Sequence, residues 1–115
     1  MDERRQHQRI RAYRPVRLYK PASAQVVETL TKDLSVEGLR CLSATVVPVS
    51  TEFTVEVVCE PGEEPITARG RAVWFRNIPD SEQFDIGVTF LDLTPQTKRR
   101  LSVYLDRLSH HLSAL

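Results

Sequence analysis

The sequence predicts an all-β domain, an antiparallel barrel or sandwich, followed by one C-terminal α-helix. Three observations predict it. About six short stretches rich in β-branched and aromatic residues are separated by turn signals at roughly 8–12-residue spacing. Beyond Thr94 the apolar period changes from two to between three and four. Finally, 115 residues at 41% hydrophobic and 27% charged suit one domain around one core, not a disordered chain.

PVRLYK (15–20) is the first strand, with Pro15 at its start, where a missing N–H is tolerated. QVVETLTKDL (25–34) places Val27, Thr29 and Thr31 on one face and Val26, Glu28 and Leu30 on the other. SVEG interrupts, and LRCLSA resumes the extended pattern. In TEFTVEVVC (51–59), Phe53, Val55 and Val57 oppose Thr54 and Glu56, and EPGEEP then turns the chain. ITARGRAVWFRN (66–77) is the longest strand; Gly70 at its middle suggests a bulge or bend there. Unbroken alternation would set Arg69 and Arg71 on the face opposite Trp74. FDIGVTFLDL (84–93) alternates through Phe84, Ile86, Val88 and Phe90. Thr94 then caps a helix with Pro95 at its first position, a cap worth about 0.5–2 kcal/mol. Leu101, Leu105, Leu108 and Leu112 form one apolar stripe along it. That stripe covers either the mouth of its own barrel or the same stripe of a second subunit, which would make a homodimer.

Charge is uneven. The net charge is +1, but residues 1–20 carry seven Arg or Lys against two acids, +5. The other 95 residues carry nine basic and thirteen acidic side chains, −4. Such a body does not suit a nucleic-acid polymer, so the anion awaited by the basic arm is small. No run approaches the roughly 18 apolar residues of a membrane span, and the charged start lacks a secretory h-region, which predicts a cytoplasmic protein. Cys41 and Cys59 lack metal-ligand spacing and read as small, reduced core residues. The adjacent His110 and His111 read as surface residues of the helix, so no metal is expected.

Two stretches carry chemistry beyond fold punctuation. Arg5-Gln6-His7-Gln8-Arg9 has RxxxR spacing, and Asp33-Leu34-Ser35-Val36-Glu37-Gly38 has DxSxxG spacing between two strands. Guanidinium forks match phosphate oxygens and the O6/N7 edge of guanine. A carboxylate accepts from guanine N1–H and its N2 amine. Ser35 could bond a ligand acceptor or close the turn locally, and Gly38 permits a backbone approach that a Cβ would obstruct. Taken singly, DxSxxG is a good Asx-type turn and RxxxR a solvated tail. Their joint occurrence on an all-β pattern is far more specific.

Those motifs, with the WF of RGRAVWFRN, DIGVTF at 85–90 and the closing helix, resemble the PilZ domain, a bacterial module that binds cyclic di-GMP. The resemblance covers nearly the whole chain. It implies a flexible basic arm (1–14), a six-stranded antiparallel β-barrel (15–93) and a C-terminal helix (94–115), with the ligand on the outer barrel surface. By motif, Arg5 and Arg9 would grip guanine and phosphate from the arm, while Asp33, Ser35 and Gly38 hold the guanine from the barrel. Arg4 has no fixed counterpart in the pattern. We expect it to stack on a guanine and admit two intercalated ligand molecules per site. Family members often carry an aromatic near the ligand, which makes Trp74 a further site residue; a base stacked on it is worth about 1–3 kcal/mol. Its other reading is a core or helix contact.

The expected function is that of a non-catalytic adaptor: cyclic di-GMP binds, the arm closes, and a downstream protein partner reads the changed surface. The competing reading is a PilZ-like protein-interaction module that the nucleotide does not regulate. An enzyme is not expected, since no nucleophile–base pairing or phosphate-cradling glycine loop is present, and neither cofactor nor membrane insertion is implied. Ordering six arm residues costs on the order of 6–12 kcal/mol, against about 1.5–3 gained per charge-assisted hydrogen bond. The surplus fits a micromolar or somewhat tighter site, near −8 kcal/mol.

Overall fold

Alternating apolar residues close this chain on itself. The computed structural model describes residues 9–20, 23 and 25–114, with side chains through residue 110. Seven strands are followed by one helix: β1 (Ile10–Arg11), β2 (Pro15–Tyr19), β3 (Val26–Leu34), β4 (Gly38–Ser43), β5 (Glu52–Val57), β6 (Ile66–Asn77), β7 (Phe84–Leu91) and α1 (Pro95–Ala114). The sheet order is β1-β3-β2-β5-β6-β7-β4, and a further β3–β4 pairing closes it. Strands β2 to β7 are therefore a six-stranded antiparallel barrel, and β1 is an added strand on β3. Closure leaves the six barrel strands few free edges.

The inward faces follow the period of two. Phe53, Val55 and Val57 of β5 are buried, as are Leu39 and Cys41 of β4 and Ile86 and Val88 of β7. Thr31 and Ser43 are polar members of this inner layer. The Thr31 hydroxyl donates to the Ala12 carbonyl and accepts the Arg14 N–H at 2.9 Å, so the buried oxygen is satisfied. Those bonds tie residues 12–14 to the barrel wall, and Ile10 and Ala12 are themselves buried. Residues 10–14, read from the sequence as part of the arm, thus dock on β3. Burial pushes the Cys41 thiol up to about 12 and the Cys59 thiol to about 11, so both are neutral core residues.

The bulge in β6 lies elsewhere than expected. Gly70 sits in regular register between Phe53 and Phe90. It is small because a Cβ there would lie 2.6 Å from Val55 Cγ2, inside the core. The register shifts between Ala72 and Trp74, making Val73 the extra residue. That shift reverses parity, so alternation is broken at Val73 instead of Gly70 and Arg69, Arg71 and Trp74 all lie on the outer face. Arg69 and Arg71 are engaged there by Glu52, and Arg69 also by Asp92.

At the other end, Thr94 Oγ1 accepts the Thr97 N–H at 3.1 Å and caps α1. Leu101 and Leu105 are buried in the core and Leu108 packs against it, each full leucine burial being worth about 1.5–3 kcal/mol. The stripe therefore covers its own barrel as far as Leu108; the Leu112 side chain lies outside the described residues. Arg100 donates to the Glu64 carbonyl at 2.7 Å and Arg107 pairs with Glu60 at 2.8 Å, pinning the helix over the β5–β6 turn. Among the described residues no helix is long and apolar enough to cross a membrane.

Candidate functional site

A second register shift, between Thr31 and Asp33, builds the site. It lets Thr31 and Leu34 both point into the core while Asp33 turns outward. Asp33 then lies in one row across five strands: Arg11 of β1, Asp33 of β3, Arg40 of β4, Gly87 of β7 and Trp74 of β6 are successive cross-strand partners. Residues as far apart along the chain as Arg11 and Gly87 are thereby brought onto one strip of the outer wall.

Asp33 carries two cations. Arg9 Nη1 donates to Oδ1 at 2.7 Å, and Arg40 Nε lies 2.9 Å from Oδ2. The last arginine of RxxxR and the aspartate of DxSxxG therefore touch. Arg4 and Arg5 lie outside the described residues. Ser35 is buried and turned to its own loop: its hydroxyl accepts the Glu37 N–H at 3.1 Å, and its N–H donates to the Gly38 carbonyl at 2.9 Å. Of the two roles open to Ser35 it occupies the local one, setting the turn that follows Asp33. Gly38 begins β4, pressed against β7: a Cβ would lie 2.1 Å from the Val88 carbonyl oxygen. Gly38 thus serves a close approach of two backbones.

Trp74 is 38% exposed, and its indole rests on Gly87, where a Cβ would lie 2.2 Å from Nε1. Arg76 sits over the ring at 6.0 Å from a centroid, within cation–π range. It is held by Asp85, 3.2 Å away, which also takes the Lys32 ammonium at 2.8 Å. Sequence reasoning missed Arg40, Asp85, Lys32 and Arg76. They are charged residues of β3, β4, β6 and β7 whose proximity shows only once the strands are paired.

Burial pushes the Asp85 carboxyl up, but hydrogen bonds from Lys32 and Arg76 outweigh it and hold the group below the ordinary carboxylate value. A depressed folded-state pKa adds stability above the unfolded value, about 3.9 for aspartate, and that stability is lost as pH falls through the lower folded value. Asp85→Asn should therefore lower the urea midpoint at pH 7 and flatten its decline below about pH 4. Parallel wild-type and variant curves would contradict this role.

Two concave pockets lie away from this strip. One of about 350 Å³ opens at a barrel mouth beside Leu18, Val27, Val47 and Phe53. Another, about 400 Å³, lies under α1 against Cys59 and Tyr104. Neither is lined by Asp33. No group of three or more His, Cys, Asp or Glu that could hold a metal occurs among the described residues.

Fold and site together define an antiparallel β-barrel whose charged site lies on its outer wall instead of inside. The chain belongs to the PilZ domain family, which it matches over residues 3–107. No curated protein gives a significant sequence match. Among solved structures, the inhibitor of motility MotI/DgrA of Bacillus subtilis superimposes with a TM-score of 0.81 at 18% identity, over 96% of this chain and 53% of that one. The PilZ domain of YcgR from Escherichia coli, solved with c-di-GMP, gives 0.74 at 20% identity, over 96% and 95%. A tetrameric PilZ domain protein of Xanthomonas campestris gives 0.64 at 20%, over 82% and 52%. At these identities the likeness is one of fold, and this chain spans about half the length of the Bacillus protein.

Proposed function

We propose that this chain is a receptor for cyclic di-GMP that acts without catalysis, changing its surface when the nucleotide binds. The observation that carries the reading is the contact between Arg9 and Asp33, 24 residues apart, which unites the two motifs at one point of the outer wall. The family and the nucleotide-bound YcgR domain support it.

In this reading Asp33 accepts guanine N1–H and the N2 amine, and Arg9 leaves the carboxylate for the phosphate or the O6/N7 edge. Arg5 acts beside it, and Arg4 stacks on a guanine. Ser35 and Gly38 serve by fixing the turn that presents Asp33. Trp74, at the far end of the row, offers the exposed part of its ring to a base. Arg9 is 47% exposed, and an exposed ion pair is worth about 0–1 kcal/mol, so its release costs little. The arm then covers the strip, and a protein partner reads the new surface.

Arg9→Ala should abolish binding in practice, because the cost of ordering the arm stays while its reward falls. Titration of the variant with cyclic di-GMP checks this; nearly unchanged affinity contradicts it. A second reading, an interaction module indifferent to nucleotide, draws on the exposed run Val73, Trp74 and Phe75. Capture of a partner unaffected by cyclic di-GMP would favour it.

A further inference from the structure

Arg40 is the second cation on Asp33, and neither motif includes it. We propose that Arg40 is a positioning residue for guanine selection: it holds the Asp33 carboxylate in place once Arg9 has left it for the ligand. This rests on the reading of the chain as a cyclic di-GMP receptor.

Arg40 and Asp33 are direct cross-strand partners, with Nε 2.9 Å from Oδ2. Arg40 Nε is buried and finds no aligned hydrogen bond among the described residues, so its compensation is the charge of Asp33. A buried Nε compensated this way keeps its carboxylate close, because separating them leaves a buried donor without a partner.

The two cations differ in how they are anchored. Arg9 precedes the two-residue strand β1, and its side chain is 47% exposed. Arg40 lies within β4, which pairs with β3 on one side and β7 on the other, and its side chain is 32% exposed. Arg9 is the partner that departs and Arg40 the one that stays. An ionised carboxylate has about four acceptor sites. Guanine N1–H and the N2 amine would take two, which leaves room for Arg40 in the complex. Its contact with Oδ2 restricts rotation of the carboxylate, and so fixes the plane in which the guanine edge must lie. Adenine has no N1–H and no N2 amine, so this constraint favours guanine alone.

The test is titration of the full chain with cyclic di-GMP, with cyclic di-AMP measured by competition. Wild type, Arg40→Gln, Arg40→Lys, Asp33→Ala and the double variant Asp33→Ala/Arg40→Gln are compared, and thermal melts verify folding. Arg40→Gln should weaken cyclic di-GMP binding roughly tenfold or more, the worth of one charge-assisted contact. Its preference over cyclic di-AMP should fall by a similar factor. Arg40→Lys, which keeps the charge, should recover most of that preference even if Arg40→Gln folds poorly. The double variant should bind no more weakly than Asp33→Ala alone. Unchanged guanine preference in Arg40→Gln, with the wild type binding, overturns this inference and leaves the receptor reading standing. A wild-type chain that does not bind overturns both.

Discussion

Replacing Asp33 by alanine should raise the dissociation constant for cyclic di-GMP on the order of a hundredfold or more while leaving the barrel folded. In the proposed complex the carboxylate would accept two charge-assisted hydrogen bonds from the guanine edge, about 1.5–3 kcal/mol each. Alanine also frees Arg9 in advance, returning up to about 1 kcal/mol that the wild type spends on opening an exposed ion pair. The net loss, about 2–5 kcal/mol, spans roughly 30- to several-thousand-fold in affinity. The barrel should stay folded, since the β3–β4 backbone pairing needs no side chain, but it should melt somewhat lower because the buried Arg40 Nε loses its partner. Titration together with a thermal melt separates the two effects. A variant that melts like the wild type and binds as well removes Asp33 from the site.

Gly38→Ala should act in the opposite way, on stability first. The added methyl would meet the Val88 carbonyl oxygen at 2.1 Å, Thr89 Cα at 3.0 Å and the Val88 carbonyl carbon at 3.1 Å, all backbone atoms. No side-chain rotation relieves that contact, so β4 must move away from β7 along the pairing that runs from Gly38–Thr89 to Ser43–Phe84. Overpacking of this kind costs about 1–3 kcal/mol and sometimes more. The same shift would pull at the turn, since Ser35 N–H bonds to the Gly38 carbonyl and Phe90 N–H to that of Glu37 at 2.8 Å. Urea unfolding should show the loss without nucleotide present. Gly87 makes the informative contrast. There the obstacle is the half-exposed Trp74 side chain, which can swing away. An unchanged midpoint in Gly38→Ala would mean that the β4–β7 approach is looser than this.

Period-two alternation carries most of the fold, and β2 to β7 stand within a few residues of the stretches read from the sequence. What alternation cannot show is where register slips. Gly70 looks like a break by composition, yet the extra residue is Val73, whose only mark is that Val73, Trp74 and Phe75 are apolar in succession. Strand β1 was hidden for a related reason. Ile10 and Ala12 are two small signals among arginines, and they bury only because β3 is there to receive them.

The candidate site divides in the same way. Asp33 and Arg9 stand out locally, because their motifs can be read along the chain. Arg40 and Asp85 do not, since their meaning depends on cross-strand neighbours. Ser35 shows the limit from the other side: the motif does not tell whether its hydroxyl faces outward or, as in the structure, closes the turn after Asp33.

The most direct measurement is isothermal titration of the wild-type chain with cyclic di-GMP. Micromolar or tighter binding with two nucleotides per chain is the expected result, and the second molecule reports on Arg4. A stoichiometry of one would keep the receptor and discard the Arg4 stack. No heat, and no nucleotide bound by any independent assay, would contradict the receptor reading and leave Arg9 on Asp33 as a structural ion pair.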